Sequence, residues 1–112
     1  NISSVELETV INTHPKVSES AVIAVPSSLS EDEVKAFVVL KDGEYLSPEE
    51  LIEWCMDRLA DFKMPRFVEY RKNLPRTPSQ RIAKYILKKE NAGEETWDMS
   101  EYIRKILSER KN

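Results

Sequence analysis

Between residues 63 and 89 the chain carries nine basic side chains and one acidic, whereas residues 1–62 carry four basic against thirteen acidic and residues 90–112 four against six. Inside the basic block lies Leu74-Pro75-Arg76-Thr77-Pro78-Ser79-Gln80-Arg81, a proline-bracketed stretch that reads as a loop. A local concentration of cations in a chain of net charge -3 suits an anionic partner at one place, not a general polyanion binder. The competing reading is a solvated basic face.

The other groups capable of chemistry read as structural. His14 precedes Pro15 on an apolar helical face, with no cysteine or second histidine near it to share a metal. Cys55 is the single cysteine and falls on the apolar stripe of a helix, so it reads as core. It has no partner for an internal disulfide, which makes a reducing cytoplasm the expected compartment. Glu31-Asp32-Glu33 reads as an acidic turn. No metal site is expected. No apolar run approaches the ~20 residues of a membrane helix, and no signal peptide is evident.

These residues need a scaffold, and the hydrophobic pattern describes one. Ser3 with Glu6 three residues on forms a capping box, and Leu7, Val10, Ile11 and His14 share a helical face that ends at Pro15. Val17 to Val25 and Val34 to Leu40 read as strands. Ser47-Pro48-Glu49-Glu50 starts a second helix, whose buried stripe is Leu51, Ile52, Cys55 and Leu59. Pro65 to Tyr70 reads as a short strand and Ile82 to Lys89 as a short helix. Met99, Tyr102, Ile103, Ile106 and Leu107 form an amphipathic tail helix that has to dock on something. At 112 residues this is one modest core. The fold class is α+β, a small sheet covered by helices on one side.

Several pieces, in order, resemble the C-terminal domain of the adenylate-forming, AMP-binding superfamily. Asn1-Ile2-Ser3-Ser4 followed by Val5-Glu6-Leu7-Glu8 is similar to the segment after that family's hinge. His14-Pro15-Lys16-Val17-Ser18-Glu19-Ser20-Ala21-Val22 matches its HPxVxEaAV run, and Val34 to Leu40 its next strand. Phe62-Lys63-Met64-Pro65-Arg66 matches [FY]KxPR, and Leu74 to Ser79 matches the loop before the family's catalytic lysine. The opening residues and Thr96-Trp97-Asp98 resemble the branch of crotonobetaine/carnitine-CoA ligase-like proteins.

The resemblance implies a division into a lid domain over residues 1–90 and a tail over 91–112. It implies a mobile lid of an acyl-CoA synthetase, inactive alone. Its partner would be a large N-terminal adenylation domain, absent from this sequence, that binds ATP and the carboxylic acid. This stretch is therefore expected to be a separately produced domain. The family reaction joins a carboxylate to the ATP α-phosphate and releases pyrophosphate; the thiol of CoA then displaces AMP. ATP and CoA are its substrates and Mg2+ is expected in the full enzyme, with none bound by this domain alone. Between the halves the lid is expected to rotate about its hinge.

At the position of the family's Gly-Lys pair this chain has Gln80-Arg81, followed by Ile82. Arg81 is accordingly the catalytic candidate, keeping the charge but with a planar fork in place of a compact ammonium. Gln80 lacks glycine's freedom at positive φ, so the loop is expected to sit differently. Lys63, Arg76 and Lys84 are candidates for a phosphate of ATP or CoA, or for orienting the loop, with structural pairing as the ordinary fate of such residues. The alternative function is a stand-alone interaction module that binds an anionic partner through segment 63–89. Neither nucleic acid nor membrane is an expected partner, and self-association through the tail helix is a further alternative.

Overall fold

The computed structural model describes residues 3–26, 32–59, 64–90 and 95–110. Its elements run α1 (Ser3–Asn12), β1 (Val17–Val25), β2 (Glu33–Leu40), α2 (Pro48–Arg58), β3 (Phe67–Arg71), α3 (Lys84–Lys89), β4 (Thr96–Asp98) and α4 (Ser100–Arg110). The four strands form one sheet in chain order, β1-β2-β3-β4. β1 pairs antiparallel with β2, β2 parallel with β3, and β3 antiparallel with β4. The parallel pair is bridged by α2, the connection such a pair requires.

Helix α2 shows why the sequence starts and stops it where it does. The Ser47 hydroxyl accepts from the Glu50 backbone N–H at 3.1 Å, and the Glu50 carboxylate accepts from the Ser47 N–H at 3.3 Å. This reciprocal cap satisfies two of the helix's orphan donors. Leu51, Ile52 and Cys55 are fully buried, as their spacing predicts. Helix α1 opens at Ser3, so the expected capping serine already lies inside the first turn.

Six successive residues of β2, Val34 to Val39, are buried, as befits a strand covered on both faces. Val34, Ala36 and Val38 face one cluster with Val22, Val68, Leu7 and Ile11 of α1, Leu51, Ile52 and Cys55 of α2, and Met99. Phe37 and Val39 face a second cluster with Ala21, Ile23, Leu74 and Leu87. The helical cover is therefore two-sided, not the one-sided cover expected: α3 and the proline loop seal the face opposite α1 and α2.

Strand β4 was not legible as a strand in the sequence. It adds three residues to the sheet, pairing Phe67 with Asp98 and Glu69 with Thr96. It delivers Met99, 3% exposed, to the core. Helix α4 then packs Tyr102 and Ile103 on the same cluster. It is fastened to α2 by Tyr102 Oη donating to Glu53 at 2.5 Å and by Arg110 on Asp57 at 2.7 Å. At the opposite edge, the outward N–H of Val22 in β1 donates to the Glu8 carboxylate at 2.7 Å.

Candidate functional site

The proline loop begins and ends on buried anchors, Leu74 and Ala83, with 4% and 1% exposure. Between them the backbone folds into a small hairpin. Thr77 N–H donates to Arg81 C=O at 2.8 Å, Gln80 N–H to Thr77 C=O at 2.9 Å and Ala83 N–H to Pro75 C=O at 2.8 Å. Arg76 and Ile82 face each other as an antiparallel bridge. Pro78-Ser79-Gln80 is thus a three-residue hairpin loop, with proline where its fixed φ suits the first turn position.

In such a loop the third residue turns left-handed. Gln80 does so, with φ of +69°, and it is the one non-glycine residue with positive φ among those described. The turn is thus left-handed at an L side chain, a conformation that disfavours one by about 1–2 kcal/mol. Side chains hold it there. Arg76 Nη1 donates to the Gln80 carbonyl at 3.1 Å. Thr77 Oγ1 accepts from the Arg81 N–H at 3.2 Å and lies 3.0 Å from Ser79 Oγ.

The candidate cations have different surroundings. The second Arg76 nitrogen, Nη2, pairs with the Glu19 carboxylate on β1. Lys84 Nζ lies 2.5 Å from Glu8 Oε2, the oxygen that also takes the Val22 N–H. Arg81 is exposed, and no hydrogen bond or ion pair holds its guanidinium among the described residues. Lys63 lies outside the described residues. The structure thus brings Arg76 and Arg81 together on one hairpin, with Lys84 at the start of the helix that follows. It adds three residues that sequence reasoning did not single out: Glu8, Glu19 and Thr77. Thr77 had a local signal, a hydroxyl ahead of Pro78 at a turn. Glu8 and Glu19 had none, being far away in the chain.

Pairing extends through the basic segment. Arg66 meets Asp98 at 3.1 Å and Glu33 at 3.6 Å. Its hydrogen bonds, foremost among the causes, hold the Asp98 carboxyl down to about 2. Arg71 meets Glu69 at 2.7 Å and also pairs with Glu90. Lys35 reaches Glu69 at 2.9 Å with side chains 6% and 10% exposed, while Thr96 Oγ1 donates to Glu69 at 2.8 Å. Burial pushes the Glu69 carboxyl up, but the bonds from Lys35, Thr96 and Arg71 outweigh it and leave it lowered. Of the segment's described cations, Lys72, Arg81, Lys88 and Lys89 remain exposed without a pair of this kind.

His14 and Cys55 are structural in their surroundings. His14 Nδ1 accepts from the Lys16 N–H at 3.1 Å, and its ring lies 4.5 Å from that of Trp54. Burial, then Lys16, lowers the His14 pKa. Burial pushes the Cys55 thiol up to about 12. Among the described residues no group of three or more His, Cys, Asp or Glu side chains could hold a metal ion. No described helix is long and apolar enough to cross a membrane.

Comparison with known proteins places this hairpin in a wider setting. Residues 6–81 match the AMP-binding enzyme C-terminal domain family, a match that ends on Arg81. The chain is 46% identical over 88 residues to the crotonobetaine/carnitine-CoA ligase of Escherichia coli O139:H28. That alignment covers 79% of this chain and 17% of the ligase. Among solved structures, ATP-bound MatB from Rhodopseudomonas palustris superposes with a TM-score of 0.71 at 34% identity, covering 76% of this chain and 17% of that one. A fatty acyl CoA synthetase of Mycobacterium tuberculosis gives 0.69 at 36% identity, with the same coverage. The chain thus spans about one sixth of the length of the proteins it matches.

Proposed function

This chain belongs to the AMP-binding enzyme C-terminal domain family, and from that premise we propose that it is the moving lid of an ATP-dependent acyl-CoA synthetase. In this reading the lid closes on a larger adenylation domain, places Arg81 beside ATP and the carboxylate during acyl-adenylate formation, and swings away for attack by CoA. The observation that carries the proposal is the presentation of Arg81: an exposed guanidinium, unpaired among the described residues, at the foot of a hairpin whose backbone is tied down. A charge already free of partners and mounted on a rigid loop can meet a phosphate without reorganising, which is where electrostatic catalysis gains most.

Arg76 and Lys84 contribute in this proposal by shaping and seating the loop, their charges being engaged by Glu19 and Glu8. Lys63 keeps its role as a candidate for a phosphate of ATP or CoA. In this reading the Mg2+ of the reaction would be held by the triphosphate and carboxylates of the larger domain. When bound there, the ion would screen the phosphate charges. The proposed compartment is the cytoplasm, consistent with one buried unpaired cysteine. On α4, the half-buried Ile106 and the exposed Leu107 lie outside the core clusters and would be the apolar side chains to meet a second copy. Sedimentation of the chain beside Leu107→Ser, which leaves β4 and the buried Met99 in place, tests whether the tail supports self-association.

The test of the lid function is made in the enzyme containing this domain together with its adenylation domain, measuring pyrophosphate release and thioester formation from preformed acyl-adenylate separately. Arg81→Ala is expected to slow the first on the order of 10²-fold and to spare the second. Arg81→Lys is expected to raise adenylate formation above that of the arginine enzyme, because a compact ammonium fits the family's site. Unchanged pyrophosphate release in Arg81→Ala would remove Arg81 from this role.

A further inference from the structure

We infer that the Glu19–Arg76 pair is a positioning device for Arg81, acting through the strained carbonyl of Gln80; the inference rests on the lid reading above. Arg76 uses its two terminal nitrogens on different objects. Nη2 is anchored by the Glu19 carboxylate, on a strand 57 residues away in the chain, and Nη1 holds the Gln80 C=O at 3.1 Å. That carbonyl belongs to the one left-handed non-glycine residue described, and its peptide plane leads directly into Arg81. The direction of the Arg81 Cα–Cβ bond is therefore fixed by where Arg76 holds the preceding carbonyl.

Glu19 is mounted on the sheet. It lies in β1 opposite Val39 of β2, beside a register irregularity between Val17 and Glu19. Ala21, two residues on along the same face, is fully buried. The sheet, not the loop, thus sets the aim of Arg81. A guanidinium suits the task because its planar fork reaches two acceptors at once in fixed geometry, which an ammonium on a flexible stem does not. At residue 80 this chain carries glutamine in the left-handed conformation, and Arg76 holds its carbonyl.

The decisive experiment is a cycle in the same two-domain enzyme. Arg76→Gln keeps a donor but loses the anchor on Glu19, and Glu19→Gln loosens the brace from the other end. Each is expected to slow pyrophosphate release roughly tenfold, since a reacting group misplaced by ~1 Å costs on the order of 10²-fold and the hairpin's own backbone bonds limit the shift. Thioester formation from preformed acyl-adenylate is expected to be unchanged, and Arg76→Lys is expected to recover only part of the loss. In an Arg81→Ala background, Arg76→Gln should produce no further slowing, because the brace has nothing left to aim.

In the 112-residue chain, amide exchange at Gln80 and Arg81 should quicken in Arg76→Gln while amides of β2 keep their protection. Equal losses in both half-reactions, or full additivity with Arg81→Ala, would overturn the inference and leave the pair a structural contact. Undiminished pyrophosphate release in Arg81→Ala alone would instead defeat the catalytic role of Arg81 on which it rests. The two failures are therefore separable.

Discussion

Replacing Gln80 by glycine should stabilise the domain. Gln80 sits at φ +69°, a region that disfavours an L side chain by about 1–2 kcal/mol. Glycine removes that term but adds about 0.5–1 kcal/mol of unfolded-chain entropy. The balance is a gain of about 0.5 kcal/mol, equivalent to roughly 2–4 °C in the melting temperature of a domain near this size. Asparagine, which tolerates the left-handed region through local hydrogen bonding, should recover part of the same gain. Valine should lose at least about 1 kcal/mol, because a β-branched side chain at positive φ is a genuine outlier. The assay is urea unfolding followed by circular dichroism, with the denaturant slope required to stay constant so that the midpoint reports stability alone. The expected order is Gly above Asn above Gln above Val. Equal midpoints for glycine, glutamine and valine would show that the turn is not left-handed at residue 80, and the account of the loop would fall with it.

The remaining predictions concern the core and its charges. Lys35→Met leaves Glu69 buried with Arg71 and Thr96 as its remaining partners; it should cost about 3 kcal/mol, and Lys35→Met with Glu69→Leu should recover most of it, measured by the same unfolding curves. Phe37 is fully buried, with Lys35 Nζ 4.5 Å from its ring centre; Phe37→Ala should cost about 3–5 kcal/mol. Asp98 has its folded pKa depressed to about 2, so its contribution is present above the ordinary aspartate pKa and lost as pH falls from about 4 toward 2. Asp98→Asn should flatten the stability profile in that window, and an unchanged acid limb would refute the Arg66–Asp98 pairing. With its thiol pushed up to about 12 and fully buried, Cys55 should react with a disulfide reagent at pH 8 only as fast as the domain opens; rapid labelling of the native protein would contradict the packing of α2.

Local pattern revealed most of the scaffold because local physics dictates it. The Ser47-Pro48-Glu49-Glu50 cap specifies α2 within four residues, and Val17–Val25 is a strand whose ends are set by proline on both sides. Strand β4 escaped because three residues, Thr96–Asp98, are too few for a period, and their partner β3 supplies the reason to be extended. The two-sided cover was hidden for a similar reason: six buried residues in a row in β2 show that both faces are covered, but not by what. At the site, the charge of the loop and the place of Arg81 were legible, whereas the separate fates of Arg76 and Lys84 were not. They depend on Glu19 and Glu8, brought close only when β1 and α1 pack against the loop and α3. The left-handed turn at Gln80 was foreseen as a difficulty, but the groups that hold it come from Arg76 and Thr77 acting together.

The carboxylate that receives the Val22 N–H has a consequence for the isolated domain. β1 is a nine-residue, largely apolar strand at the margin of the sheet, the sort of border on which a foreign strand readily adds. Glu8 occupies a donor that an incoming strand would need, and Lys84 holds Glu8 in place. An intruding chain has to expel a charged side chain before it can zip on. Loss of Glu8 should therefore appear first as turbidity on storage at high concentration, before any change in the fold itself.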